Sequence, residues 1–160
     1  RTVAGDGKAP VVDIGGLWED FYSSRIGAIW GLALSDDGQT LYFSEPHRVR
    51  EANLVNGSVR TIVGDMSPGN CLPPFEPGDI CGDGGPGIDA RLNEPLGLAV
   101  CRGELLIADR RNARIRAYNL ETEIITTKAG SDQPGYDGDG FMPTQAKLFG
   151  PTGVTCDELR

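Results

Sequence analysis

The chain has 160 residues, with 15 basic and 23 acidic side chains and a net charge of −8. That balance excludes the basic footprint a phosphate backbone requires, and no apolar run approaches the roughly 18–20 residues of a membrane span, so neither nucleic acid nor membrane insertion is expected. Apolar residues make up 39%, which suits a globular protein, and 23 glycines with 11 prolines call for many turns.

In chain order, Arg1–Gly5 reads as one short strand, followed by a long loop over Asp6–Ala28. Ile29–Leu34, Thr40–Ser44, Val49–Leu54 and Val59–Gly64 then alternate in the manner of strands. Asp36-Asp37-Gly38 and Asn56-Gly57 between them carry the residues that tight hairpins prefer. A second long loop, Asp65–Pro95, leads to Leu96–Cys101, Glu104–Asp109, Arg114–Leu120 and Ile124–Ala129. A third, Ser131–Pro151, leads to a last short strand at Thr152–Cys156.

The plan repeats. T-V-A-G at Thr2, T-I-V-G at Thr61 and T-K-A-G at Thr127 close a unit; G-L-A-L at Gly31, G-L-A-V at Gly97 and G-V-T-C at Gly153 open one. Self-similarity at this spacing indicates a stacked or radial repeat array. The expected fold is all-β, a partial β-propeller of antiparallel four-stranded blades. Residues 29–64 and 96–129 form whole blades, 1–5 the last strand of a preceding blade, and 152–160 the first strand of a following one. Two blades and two fragments leave sheet edges open, so neighbouring blades or other chains are the expected partners. The opening at Arg1, without an initiator Met, reads as a processed product or an excerpt.

The stretch G-D-G-G-P-G-I-D-A-R-L-N-E-P-L-G-L-A-V from Gly82, with L-L-I-A-D-R-R-N-A-R-I-R from Leu105, resembles the NHL-repeat family of β-propellers. It recurs as G-D-G-F-M-P-T-Q-A-K-L-F-G-P-T-G-V-T-C from Gly138, whereas Asp6–Ala28 lacks G-D-G-G and Ile29 replaces the proline. Physical roles follow from the residues themselves. Pro95 and Pro151 suit strand entrances, where no ladder donor is needed. Gly97 and Gly153 suit close backbone approach near a propeller axis, Asp109 and Asn112 suit bonds to turn amides, and Arg114 is placed to pair with an acid such as Asp109.

In a meander, the turns Pro46–Arg48 and Arg110–Asn112 emerge on the same face as the three long loops. Loops of that length are often functional, so binding is expected there. Trp18, Phe21, Tyr22, Phe75, Tyr136 and Phe141 are candidate anchors, and Arg110 with Arg111 forms the exposed part of the only basic cluster. Asp83, Asp137 and Asp139 on glycine-rich loops are weak calcium candidates, but an EF-hand's longer ligand run is missing, so no cofactor is expected. The single histidine, His47, is expected to be exposed on this face, and no nucleophile or phosphate-binding motif appears. The expected function is therefore a non-catalytic, protein-binding module. The alternative is part of a metal-dependent propeller lyase or hydrolase with catalytic residues elsewhere, as the resemblance allows. Cys71 and Cys81, inside one loop, are expected to form a disulfide, whereas pairing of Cys101 with Cys156 is left open. With the sequon at Asn56-Gly57-Ser58, which makes Asn56 a glycosylation candidate, they point to an extracellular or luminal protein.

Overall fold

Period-two alternation gives nine strands among the residues that the computed structural model describes, which are 19–20, 25–67, 69, 81–131 and 133–157. They are β1 (Glu19–Asp20), β2 (Gly31–Leu34), β3 (Thr40–Glu45), β4 (Arg48–Asn53), β5 (Ser58–Gly64), β6 (Pro95–Cys101), β7 (Glu104–Asp109), β8 (Arg114–Asn119) and β9 (Ile125–Ala129). β2 to β5 form one antiparallel meander and β6 to β9 another. β1 adds a fifth strand to the outer edge of the first, pairing Glu19 with Val59 and Asp20 with Ser58. No strand is expected there from sequence; it covers an edge that would otherwise present unpaired backbone groups.

The two blades stack through their side-chain faces. Tyr42, Val49, Ile62 and Val63 of the first blade meet Leu98, Leu105, Ile107, Tyr118 and Ile125 of the second, with Ala90 and Leu92 of the second loop in the same cluster. The first blade's other face holds a smaller cluster of Phe43, Ala52 and Val59, against Ile26 and Leu41. Both third strands carry a register shift at the same place, between Val49 and Arg50 and between Ile115 and Arg116. The extra residue lies on the fourth strand in each blade, Ile62 or Lys128.

The repeated glycines have structural reasons. A Cβ on Gly31 would lie 1.9 Å from the carbonyl oxygen of Leu96, and one on Gly97 would lie 2.7 Å from the Cα of Gly153. First strands of successive blades therefore touch backbone to backbone, as expected for Gly97. The glycines that end the second and third Thr-x-x-Gly copies, Gly64 and Gly130, have positive φ of 71° and 94° and lie under a turn carbonyl, that of His47 and of Ala113. Only glycine combines that dihedral with that clearance.

Residues 151–157 carry no ladder, against the strand expected at Thr152–Cys156. One bond, from the Gly97 amide to the Thr152 carbonyl (3.0 Å), ties this segment to β6. The Cys101–Cys156 disulfide adds a covalent link, with Cα atoms 5.6 Å apart. A strand needs a ladder partner along its length, and no described residue supplies one. The strand expected at Arg1–Gly5 lies outside the described residues.

Candidate functional site

The second loop builds its site around Asp83. Its Oδ1 accepts from Arg116 Nε (3.0 Å) and Nη2 (2.5 Å), and its Oδ2 accepts from Thr127 Oγ1 (2.5 Å). Arg114 Nη1 approaches the same oxygen at 3.9 Å. Asp83 thus pairs with cationic side chains of the protein itself. Arg116 is wholly buried; its Nη2 also donates to the Cys81 carbonyl (3.3 Å), and its Nη1 lies 3.5 Å from Asp109 Oδ2.

Arg116, rather than Arg114, is therefore the partner of Asp109. Arg114 lies directly opposite Asp109 in the ladder, but the carboxylate engages the diagonal neighbour. Asp109 also accepts from the Asn93 amide and from Asn112 Nδ2, both at 2.9 Å. Its amide bond thus reaches the preceding loop instead of its own turn. Burial pushes its carboxyl up to about 6, with the Asn93 amide, Arg116 and Asn112 pulling the other way.

The first blade repeats the scheme with different residues. Glu45 takes the place of Asp109 and pairs with Arg48 Nε at 2.6 Å, while the Gly27 amide donates to its other oxygen. Arg50, in the place of Arg116, is buried and donates to the Arg25 carbonyl (3.2 Å). His47 is half-buried, a correction to its expected exposure, because the turn between β3 and β4 folds over Gly64. Beside it, Gly27, Glu45, Pro46, Arg48 and Met66 line a mainly apolar cavity of about 210 Å³. Glu45 is held by Arg48 and Gly27, so this corner offers no uncommitted acid beside the imidazole.

Arg110 and Arg111 do not form a basic surface. Their guanidinium groups converge on Glu94, each at 2.5 Å, and those contacts hold its carboxyl below the usual carboxylate range. Sequence reading missed Glu94, whose φ of 52° turns it back toward both arginines. Asp137 accepts from Lys147 Nζ at 3.1 Å, and no group of three or more metal-ligating side chains occurs among the described residues. Tyr136 and Phe141 are 82% and 71% exposed, and the Tyr136 ring lies 5.3 Å from that of Phe149. Trp18, Phe21, Tyr22 and Phe75 lie outside the described residues. Asn56 sits on an exposed turn, where its side-chain oxygen accepts from Ser58 Oγ (2.6 Å). Cys81 is disulfide-bonded; Cys71 lies outside the described residues. No helix among the described residues is long and apolar enough to cross a membrane.

Antiparallel blades joined first strand to first strand, with loops wedged between them, define an arc of a β-propeller. Solved structures share the fold: an auxiliary nutrient binding protein from Bacteroides ovatus superposes with a TM-score of 0.64 at 19% identity, over 84% of this chain and 33% of that one. One from Bacteroides thetaiotaomicron gives 0.57 at 18% identity, over 79% of this chain and 32% of that one.

Residues 92–118 match the NHL repeat model. NHL repeat-containing protein 2 from Homo sapiens is 36% identical over 136 residues, which are 80% of this chain and 18% of that protein. Teneurin-4 from Homo sapiens is 32% identical over 128 residues, which are 76% of this chain and 4% of that protein. The chain belongs to the NHL-repeat proteins, and it spans less than a fifth of the length of these relatives.

Proposed function

We propose that the chain is a non-catalytic, protein-binding segment of a larger NHL-type propeller, and that partners meet the face of the long loops. One observation carries this reading. The third loop exposes Tyr136, Phe141, Met142 and Phe149, each by 64% or more, and Asp137 in the same loop is paired with Lys147. Clustered exposed apolar side chains on a protein surface mark interaction sites. The buried arginines and their acids act as fasteners between loop and blade. An oxidising extracellular or luminal compartment suits the Cys101–Cys156 disulfide and the bonded Cys81, and the exposed Asn56 turn could accept a glycan there.

A photo-reactive phenylalanine at Tyr136 should crosslink to protein partners in native material, while one at Glu121, on the opposite turns, should not. Equal labelling from both positions would sink the reading. Elemental analysis adds a separate test, because stoichiometric calcium or zinc would favour a metal-dependent propeller enzyme.

A further inference from the structure

We propose that the cavity beside His47 is a binding site for a small neutral aromatic alcohol, a phenol in class, with the imidazole as its polar anchor. The site goes beyond the protein-binding reading, because it takes a single ring rather than a surface.

The cavity exists because the two blades close the same corner differently. In both, an acid ends the second strand and stands opposite an arginine that opens the third, Glu45 with Arg48 and Asp109 with Arg114. In both, a backbone amide of the preceding loop, that of Gly27 or Asn93, donates to the acid. The second blade crosses from acid to arginine with four residues, 110–113, and the first with two, Pro46 and His47. The longer turn makes a 3-10 helix that carries Asn112 inward. Asn112 is wholly buried there, bonding Asp109 Oδ2 at 2.9 Å and the Arg91 carbonyl at 3.4 Å. The shorter turn has no counterpart to Asn112, and the space of about 210 Å³ is bounded by Gly27, Glu45, Pro46, His47, Arg48 and Met66.

The walls select the ligand. Glu45 and Arg48 pair with each other at 2.6 Å, so they present a neutralised pair, and an ionic ligand would lose its water without gaining a counter-charge. The remaining walls are mainly apolar, and a cavity of about 150 Å³ already admits a benzene ring. The sulfur of Met66 suits the edge of such a ring. Met66 is also the one exposed side chain of the six, which places the way in beside it. Neither nitrogen of the His47 ring bonds a described residue, and Nδ1 is shut off from solvent, which leaves Nε2 to meet a ligand. A hydroxyl both donates and accepts, so it matches either neutral tautomer of the imidazole. The turn is set before any ligand arrives: the Pro46 carbonyl accepts from the Glu94 amide at 2.9 Å, and the His47 carbonyl sits over Gly64.

The test titrates the 160-residue chain with p-cresol, toluene and N-acetyl-tyrosinamide while NMR follows the Met66 methyl group and the His47 ring. p-Cresol should give saturable shifts at both, with Kd on the order of 1 mM or tighter. Toluene, which lacks the hydroxyl, should bind roughly fivefold more weakly. His47→Phe keeps a ring without its nitrogens and should erase that difference at the Met66 methyl. An arginine and an asparagine inserted after Pro46 restore the turn length of the second blade, and this variant should lose p-cresol binding while keeping its protected amides. Equal binding of toluene and p-cresol would overturn the proposal, as would full binding by the lengthened turn or p-cresol shifts confined to Tyr136 and Phe149. N-acetyl-tyrosinamide separates two sources of the ring: its binding supports the site as a seat for a partner's tyrosine, and its exclusion beside bound p-cresol supports a free phenol. No protein partner enters this measurement, so the crosslinking test can fail while this one succeeds.

Discussion

The loop over Cys81–Asn93 and the loop over Asp137–Phe149 share one backbone course and differ in what they hold. The first clasps a buried arginine and the start of a fourth strand; the second presents an aspartate and two large apolar side chains to solvent. The loop shape therefore follows from local glycine and alanine placement and a single 3-10 turn. The additional contacts of the first loop come from β8 and β9.

The largest predicted contrast lies between the two aspartates. Asp83→Ala removes the carboxylate that accepts two bonds from a fully buried arginine and should cost about 3–5 kcal/mol in denaturant unfolding. Asp139→Ala in the same chain should stay within about 0.5 kcal/mol. Equal losses would erase the distinction between filled and unfilled loops.

The disulfide should matter nearly as much. Cys101 and Cys156 are 55 residues apart in sequence, and opening a loop of that length should cost about 4 kcal/mol. Replacing both with alanine and comparing denaturant midpoints reads the effect. Hydrogen exchange in the double variant should rise first over 131–157, the segment the bond holds against β6. A uniform rise across both blades would break this account.

A smaller contrast separates two glycines of the same repeat position. A methyl group on Gly97 meets the backbone of Gly153 and Thr152, whereas one on Gly153 meets nothing within 4 Å. Gly97→Ala should destabilise by about 1–3 kcal/mol and Gly153→Ala by almost nothing. Matching melting curves for the two variants would deny the close approach of the first strands.

The most gradual effect is a slope with pH. Burial pushes the Asp109 carboxyl up to about 6 from its ordinary 3.8, so the native state holds the extra proton between those pH values. Its contribution to stability is therefore greatest below about 3.8 and is lost as pH rises through about 6. Relative to Asp109→Asn, the natural chain should lose stability from pH 4 to 6.5, by at most about 1.4 kcal/mol per pH unit. A gain over that interval would reverse the sign.

Much of the scaffold was legible in the sequence. The alternation in β7 and β8, the turn at Asp36–Gly38 and the crowding at Gly97 each follow from residue type and spacing. β1 was not legible, because two residues carry no periodicity. The chemistry of Asp83 was hidden for another reason: a glycine-rich acidic loop looks the same whether a metal or an arginine from 33 positions later fills it. Arg114 and Arg116 share one strand face, so alternation alone could not choose between them; the approach of the second loop, which brings Asp83 to Arg116, does. Glu94 escaped notice because its role depends on a left-handed backbone that a glutamate rarely adopts.

Site-resolved amide hydrogen exchange of the 160-residue chain tests the central claim most directly, since it compares the two loops in one molecule without mutation. The Gly84 and Ile125 amides, locked between loop and blade, should exchange only with opening of the second blade, while the Gly140 amide should exchange near the rate of an unstructured peptide. Equal protection of Gly84 and Gly140 would contradict the distinction between the two loops.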